Sequence, residues 1–136
     1  MGRDGTRRQG RVTGWRQSPD IAVIEVAEAL PVWLPWADTQ SLTEGQPLVA
    51  LGYPVPDLAF SVTHADIVTF QTRAGVRRAV RTDGALDRGN SGGPALTADG
   101  RVAGVVTEME ANQSGLQLVA LLYRAMIRTC GWLSAR

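Results

Sequence analysis

The sequence contains no lysine, one histidine (His64) and one cysteine (Cys130). A single cysteine excludes an internal disulfide framework. One cysteine and one histidine also fall short of the Cys/His ligand set that a zinc site requires. No apolar run reaches the roughly 18 residues of a membrane-spanning helix, so none is expected. Met1 to Arg8 hold no apolar stretch of the kind that marks a secretory signal. Charge of one sign is missing as well, since 14 basic residues face 13 acidic ones for a net charge of +1. That balance argues against a nucleic-acid partner bound through overall charge. The all-arginine basic set reads as a coding bias rather than a set of anion contacts. Arg3, Arg7, Arg8, Arg11 and Arg16 crowd the N-terminal stretch, with Asp4 opposing them. They read as a solvated strand face, not a phosphate-binding arm.

What is present is a chain of 136 residues, 44% of them apolar, enough for one domain or part of one. Its dominant pattern is short apolar runs between turn residues, which points to an all-β fold. Strands are expected over 10–15, 21–26, 48–53, 60–71, 77–81, 94–96, 102–108 and 116–119. The run Ile21 to Val26 is β-branched and reads as buried. Asp4-Gly5 and Asp99-Gly100 are hairpin-turn dipeptides. Ala29 to Pro47 carries Pro31, Pro35 and Pro47 and reads as a linker between two packing units. Helical spacing is confined to about Ala120 to Trp132, with Leu121, Leu122, Ala125 and Met126 on one side. Cys130 reads as a packed residue of that helix rather than a nucleophile. The expected organisation is a first unit over 1–40, a barrel over 41–119 and a short C-terminal helix over 120–136. Six strands after residue 47 suffice to close a barrel; those before it do not. A hairpin at Asp4-Gly5 would have only Met1, Gly2 and Arg3 for its first arm, so the fold reads as starting in mid-hairpin.

The segment with chemical content is Gly89-Asn90-Ser91-Gly92-Gly93-Pro94. Glycines on both sides of a serine permit a tight, partly left-handed turn. Such a turn exposes the hydroxyl and leaves N–H groups to hold a developing oxyanion, as acyl transfer requires. Alone, the hexapeptide reads more readily as an ordinary loop between strands. Asp20, immediately before the Ile21 strand, is a second candidate: a carboxylate placed to be desolvated and to orient an imidazole. Its ordinary reading is a Ser-Pro-Asp turn.

Taken together, these segments resemble the trypsin-like serine proteases, specifically the bacterial HtrA-like branch. The resemblance rests on Asp4-Gly5 through Gly14, Asp20 to Ile24, Gly45 to Pro54, Ser61 to Thr63 with Ile67-Val68, Thr82 to Pro94 and Asp99 to Val105. It implies a double β-barrel whose second barrel is complete and whose first is partial. It implies a serine-type endopeptidase acting on peptides or unfolded proteins, with no cofactor and no metal. Carried over, Ser91 is the nucleophile, and the N–H groups of Gly89 and Ser91 form the oxyanion hole with Asn90 shaping the turn. Asp20 is the triad carboxylate. Ala85 lies at the base of the substrate pocket, where a small neutral residue suits aliphatic side chains. Many members of the branch are exported, but the sequence itself assigns no compartment.

One departure is serious. The family's general base is a histidine preceding the aspartate, and no histidine precedes Asp20. His64 falls on an early strand of the second barrel and reads as a surface residue. Removing the histidine of such a triad costs about a million-fold in kcat. The chain is therefore expected to be inactive alone, with an N-terminal segment carrying the histidine absent from it. The alternative is a non-catalytic peptide-binding or scaffolding remnant. An incomplete first barrel leaves the strand at Ile21 with unpaired edges and an uncovered apolar face, so self-association or poor order of residues 1–40 is expected.

Overall fold

The computed structural model describes residues 6–17, 20–30, 32–54, 59–84, 86, 89–107 and 117–121. Every regular element among them is a strand: β1 (Gly10–Arg16), β2 (Ile21–Val26), β3 (Pro47–Gly52), β4 (Ser61–Arg73), β5 (Val76–Thr82), β6 (Pro94–Thr97), β7 (Val102–Val106) and β8 (Gln117–Leu121). All eight coincide with expected strands to within two residues at most ends. No helix long and apolar enough to cross a membrane occurs among the described residues. The chain divides between Trp33 and Leu34 into two compact units, one holding β1 and β2, the other spanning Leu34–Tyr123.

The second unit is a closed barrel of order β3-β4-β5-β8-β7-β6. Closure comes from β6 returning to β3, where Leu48 pairs with Thr97 and Ala50 with Ala95. Alternation along the strands fills it: Leu48 and Ala50 are buried while Val49 and Leu51 are only partly so. Ile67, Val80, Val119 and Leu121 complete the centre of the core, with Leu42 and Leu86 contributed by loops. Alanines at positions 50, 95 and 103 leave room for these larger side chains in a narrow interior. The β4–β5 hairpin turns at Ala74 and Gly75, both left-handed at φ 51° and 74°. This two-residue turn matches the twist of its strands, although its alanine is sterically unfavourable there. The expected Asp99-Gly100 turn joins β6 to β7, with the Thr97 N–H donating to Arg101 O at 2.9 Å.

Ala29 to Pro47 is only partly a linker. From Leu34 onward the chain belongs to the barrel unit. Ala37 N–H donates to Val102 O at 2.9 Å, and Val102 N–H to Pro35 O at 2.8 Å. The Arg77 guanidinium donates to the carbonyls of Leu42 and Gln40, at 2.6 and 3.1 Å, and lies 3.9 Å over the Phe70 ring. These contacts fasten the segment, which seats Leu42 in the core.

In the first unit, β1 and β2 form a two-stranded antiparallel sheet. A bulge at Thr13 sets Val12 opposite Ile24 and Trp15 opposite Ala22. The inserted residue brings Val12 and Trp15 to the same face, together with Ala22 and Ile24. The expectation of a buried Ile21–Val26 strand is corrected here: Ile24 is 59% exposed, Val12 57% and Trp15 69%. No strand among the described residues covers that face. The helix expected from residue 120 is also corrected at its start, because Ala120 and Leu121 lie in β8. Residues 122–136, with Cys130, lie outside the described residues, as does Asp4-Gly5.

Candidate active site

Ser91 sits at one end of the barrel, where β3 ends, β6 begins and β7 ends. The Gly93 N–H donates to Asn90 O at 2.9 Å, closing a four-residue turn with Ser91 and Gly92 at its centre. Gly92 has φ 82°, the positive angle that the third position of a type II turn demands. Ser91 is thereby placed at the corner of the turn, exposed. Two further bonds pin the loop to the barrel: Gly92 N–H donates to Val106 O at 2.8 Å, and Val106 N–H to Gly93 O at 2.9 Å. A third joins it to the end of β3, from Tyr53 N–H to Gly89 O at 3.1 Å.

Gly89 is required here on two counts. Its φ is 102°, and a Cβ at this position would overlap the Tyr53 carbonyl. Asn90 is 1% exposed and packs against the bare Cα of Gly52, so its side chain faces inward while Ser91 faces out. The N–H groups of Gly89, Asn90 and Ser91 have no acceptor among the described residues, and neither does the Ser91 hydroxyl a partner. The loop therefore offers an exposed hydroxyl with uncommitted N–H donors flanking it. Chemically, that is a nucleophile beside groups able to stabilise an oxyanion.

Asp20 belongs to the first unit and Ser91 to the second. Asp20 occupies the turn before β2 at φ 64°, exposed, so the expected desolvation of its carboxylate is not found. Aspartate tolerates this left-handed conformation better than most residues. Ala85 lies outside the described residues. His64 is exposed on β4, opposite Val49, as its surface reading expected. Among the described residues, no group of three or more His, Cys, Asp or Glu side chains gathers to hold a metal ion. Sequence reasoning missed Tyr53 and Val106 as anchors of the serine loop. Both act through backbone atoms, which leave no signal in residue type.

Comparisons with known proteins bear on this arrangement. A family described as trypsin-like peptidase domain matches residues 1–105. The chain is 36% identical to HhoA of Synechocystis sp. over 124 residues, covering 84% of this chain and 31% of that protein. It is 30% identical to serine protease Do-like HtrA of Bacillus subtilis over 112 residues, covering 75% of this chain and 25% of that one. Among solved structures, the HtrA-type protease AlgW with decapeptide superposes with a TM-score of 0.79 at 21% identity. That match covers 95% of this chain and 41% of the AlgW chain. The chain thus spans about a third or less of the length of these two sequence relatives.

Proposed function

The chain belongs to the trypsin-like peptidase domain family, among relatives of the HtrA type, and from that premise we propose that it carries the nucleophile of a serine endopeptidase. The observation that supports this most directly is the exposed Ser91 hydroxyl on a turn whose neighbouring N–H groups lack acceptors. In the proposed reaction, Ser91 Oγ attacks the carbonyl carbon of a peptide bond. The N–H groups of Gly89 and Ser91 take up the charge that develops on the carbonyl oxygen. The amine leaves with a proton, and water then hydrolyses the acyl-Ser91 ester. Asp20 is the carboxylate that orients the base. Ala85 at the pocket base favours small aliphatic side chains in the substrate.

The base itself is the missing part. No histidine precedes Asp20, and His64 stands on the outer face of β4. In this proposal the imidazole is supplied by a polypeptide segment other than residues 1–136. Without it, turnover falls about a million-fold below that of a complete triad.

Serine-directed fluorophosphonate labelling with peptide mapping tests this reading. The expected result is slow labelling at Ser91 in the chain alone, faster labelling once a histidine-bearing first-barrel segment is added, and none in Ser91→Ala. Fast labelling of the chain alone that His64→Ala abolishes would overturn the assignment of the base. Labelling unaffected by the added segment would favour the peptide-binding reading instead.

A further inference from the structure

The serine loop lies against the end of β3 backbone on backbone, and two glycines make that approach possible. Neither Gly52 nor Gly93 has a left-handed φ, so neither position needs glycine for its conformation. What each needs is room. A Cβ at Gly52 would overlap Asn90 Oδ1 and lie 2.8 Å from Asn90 Cα and 3.0 Å from Gly89 O. A Cβ at Gly93 would overlap Leu51 O and lie 2.9 Å from Asn90 O. Most of these neighbours are backbone atoms, which cannot swing aside as the tip of a flexible side chain can. The register of β3 on β6 sets Leu48 opposite Thr97 and Ala50 opposite Ala95, and continued it brings Gly52 level with Gly93. The Asn90 side chain fills the notch over Gly52, yet its buried carboxamide has no hydrogen-bond partner among the described residues. A buried amide without a partner costs stability rather than adding to it. Shape and placement are what this side chain contributes.

We infer that Gly52 is a positioning residue for the nucleophile: its bare Cα is the seat into which Asn90 locks, and that seat fixes where Ser91 stands. The inference rests on reading Ser91 as the nucleophile. Asn90 faces inward and Ser91, the next residue, faces out, so whatever lifts Asn90 moves the hydroxyl with it. A methyl group at position 52 would push both Asn90 and the Gly89 carbonyl away from β3. The N–H groups of Gly89 and Ser91, the proposed oxyanion donors, would travel with them. Acyl transfer is sensitive to such a shift, since a misplacement of about 1 Å costs on the order of a hundredfold in rate. The core of the barrel takes no part in this contact, because Gly52 is the last residue of β3 and lies outside the central cluster.

Fluorophosphonate labelling of the chain, read beside denaturant unfolding, is the test. Gly52→Ala should slow labelling at Ser91 by about a hundredfold. Ile67→Val, a truncation at the centre of the core, should lower the unfolding midpoint and leave labelling unchanged. Joining Gly52→Ala to Asn90→Ala should cost no more than Gly52→Ala alone, since either change disrupts the same seat. Wild-type labelling in Gly52→Ala overturns the inference, as do an equal loss in Ile67→Val and losses that multiply in the double variant. If Gly52→Ala does not fold, Asn90→Ala decides, because it overlaps nothing: labelling should fall while the barrel stays folded, and unchanged labelling overturns the inference. Amide exchange separates this inference from the nucleophile reading. In Gly52→Ala the N–H groups of Gly92 and Gly93, bonded to Val106 O and Asn90 O, should exchange faster, while Thr97 N–H, bonded to Arg101 O, should not. That result stands even if Ser91 never labels, in which case the nucleophile reading alone fails. Unchanged exchange at Gly92 and Gly93 overturns the inference whatever Ser91 does.

Discussion

The barrel and the two-stranded sheet are built from similar residues and end in opposite states. Leu48 on β3 is 1% exposed, whereas Ile24 on β2, in a run just as apolar, is 59% exposed. The difference lies in the neighbours. Each barrel strand has a strand on either side, and closure leaves no edge. In the small sheet each strand has one neighbour, and nothing among the described residues covers its apolar face. Apolar composition makes a strand able to be buried; the elements around it decide whether it is.

Truncation is the largest test of this contrast. Leu48→Ala should cost about 2–5 kcal/mol in denaturant unfolding, as buried leucines do. Ile24→Ala, at an exposed position, should cost no more than about 0.5 kcal/mol. Equal losses at the two sites would break the comparison.

A smaller effect sharpens it by asking how the barrel holds its own loops. Arg77→Ala removes the bonds to the Leu42 and Gln40 carbonyls and the contact with Phe70. A loss of about 1.5–3 kcal/mol is expected, as for hydrogen bonds to a charged group. Faster amide exchange in residues 38–43 should accompany it.

The smallest effect concerns pH. A hydrogen bond from the Thr97 hydroxyl holds the Asp99 carboxyl below its usual range against the opposing effect of desolvation, with smaller help from its own backbone N–H and from Arg101. A carboxyl lowered in the folded state stabilises above its unfolded pKa, and that contribution is lost as pH falls through the folded value. Thermal melts of wild type and Asp99→Asn should therefore differ at neutral pH and converge in acid, below the ordinary aspartate range. Convergence on the alkaline side would contradict the sign.

Strand positions were legible because period-two alternation and turn dipeptides are local properties. The Asp99-Gly100 turn follows from residue type, and so does the left-handed corner at Gly92 beside Ser91. The serine hexapeptide marked the site for a similar reason: a turn with an exposed hydroxyl needs glycines at set places. Misreadings arose wherever a long-range partner decided the outcome. Ile21 to Val26 reads as buried from composition, yet Ala22 and Ile24 are exposed and none of the six residues is fully buried. Ala120 and Leu121 have helical spacing but pair as β8 with β5 and β7. The segment after Leu34 reads as a linker until Arg77 and Val102 are seen to hold it.

Residue order by itself determined the strands, the turns, the glycine-flanked serine corner and the lack of a histidine before Asp20, because each depends on residue type within a few positions. Tertiary structure decided the closure of the barrel, the anchoring of the serine loop by Tyr53 and Val106, and the exposure of Asp20 and Ile24. These depend on backbone hydrogen bonds and burial between residues distant in sequence, where any residue type supplies the same N–H and C=O groups.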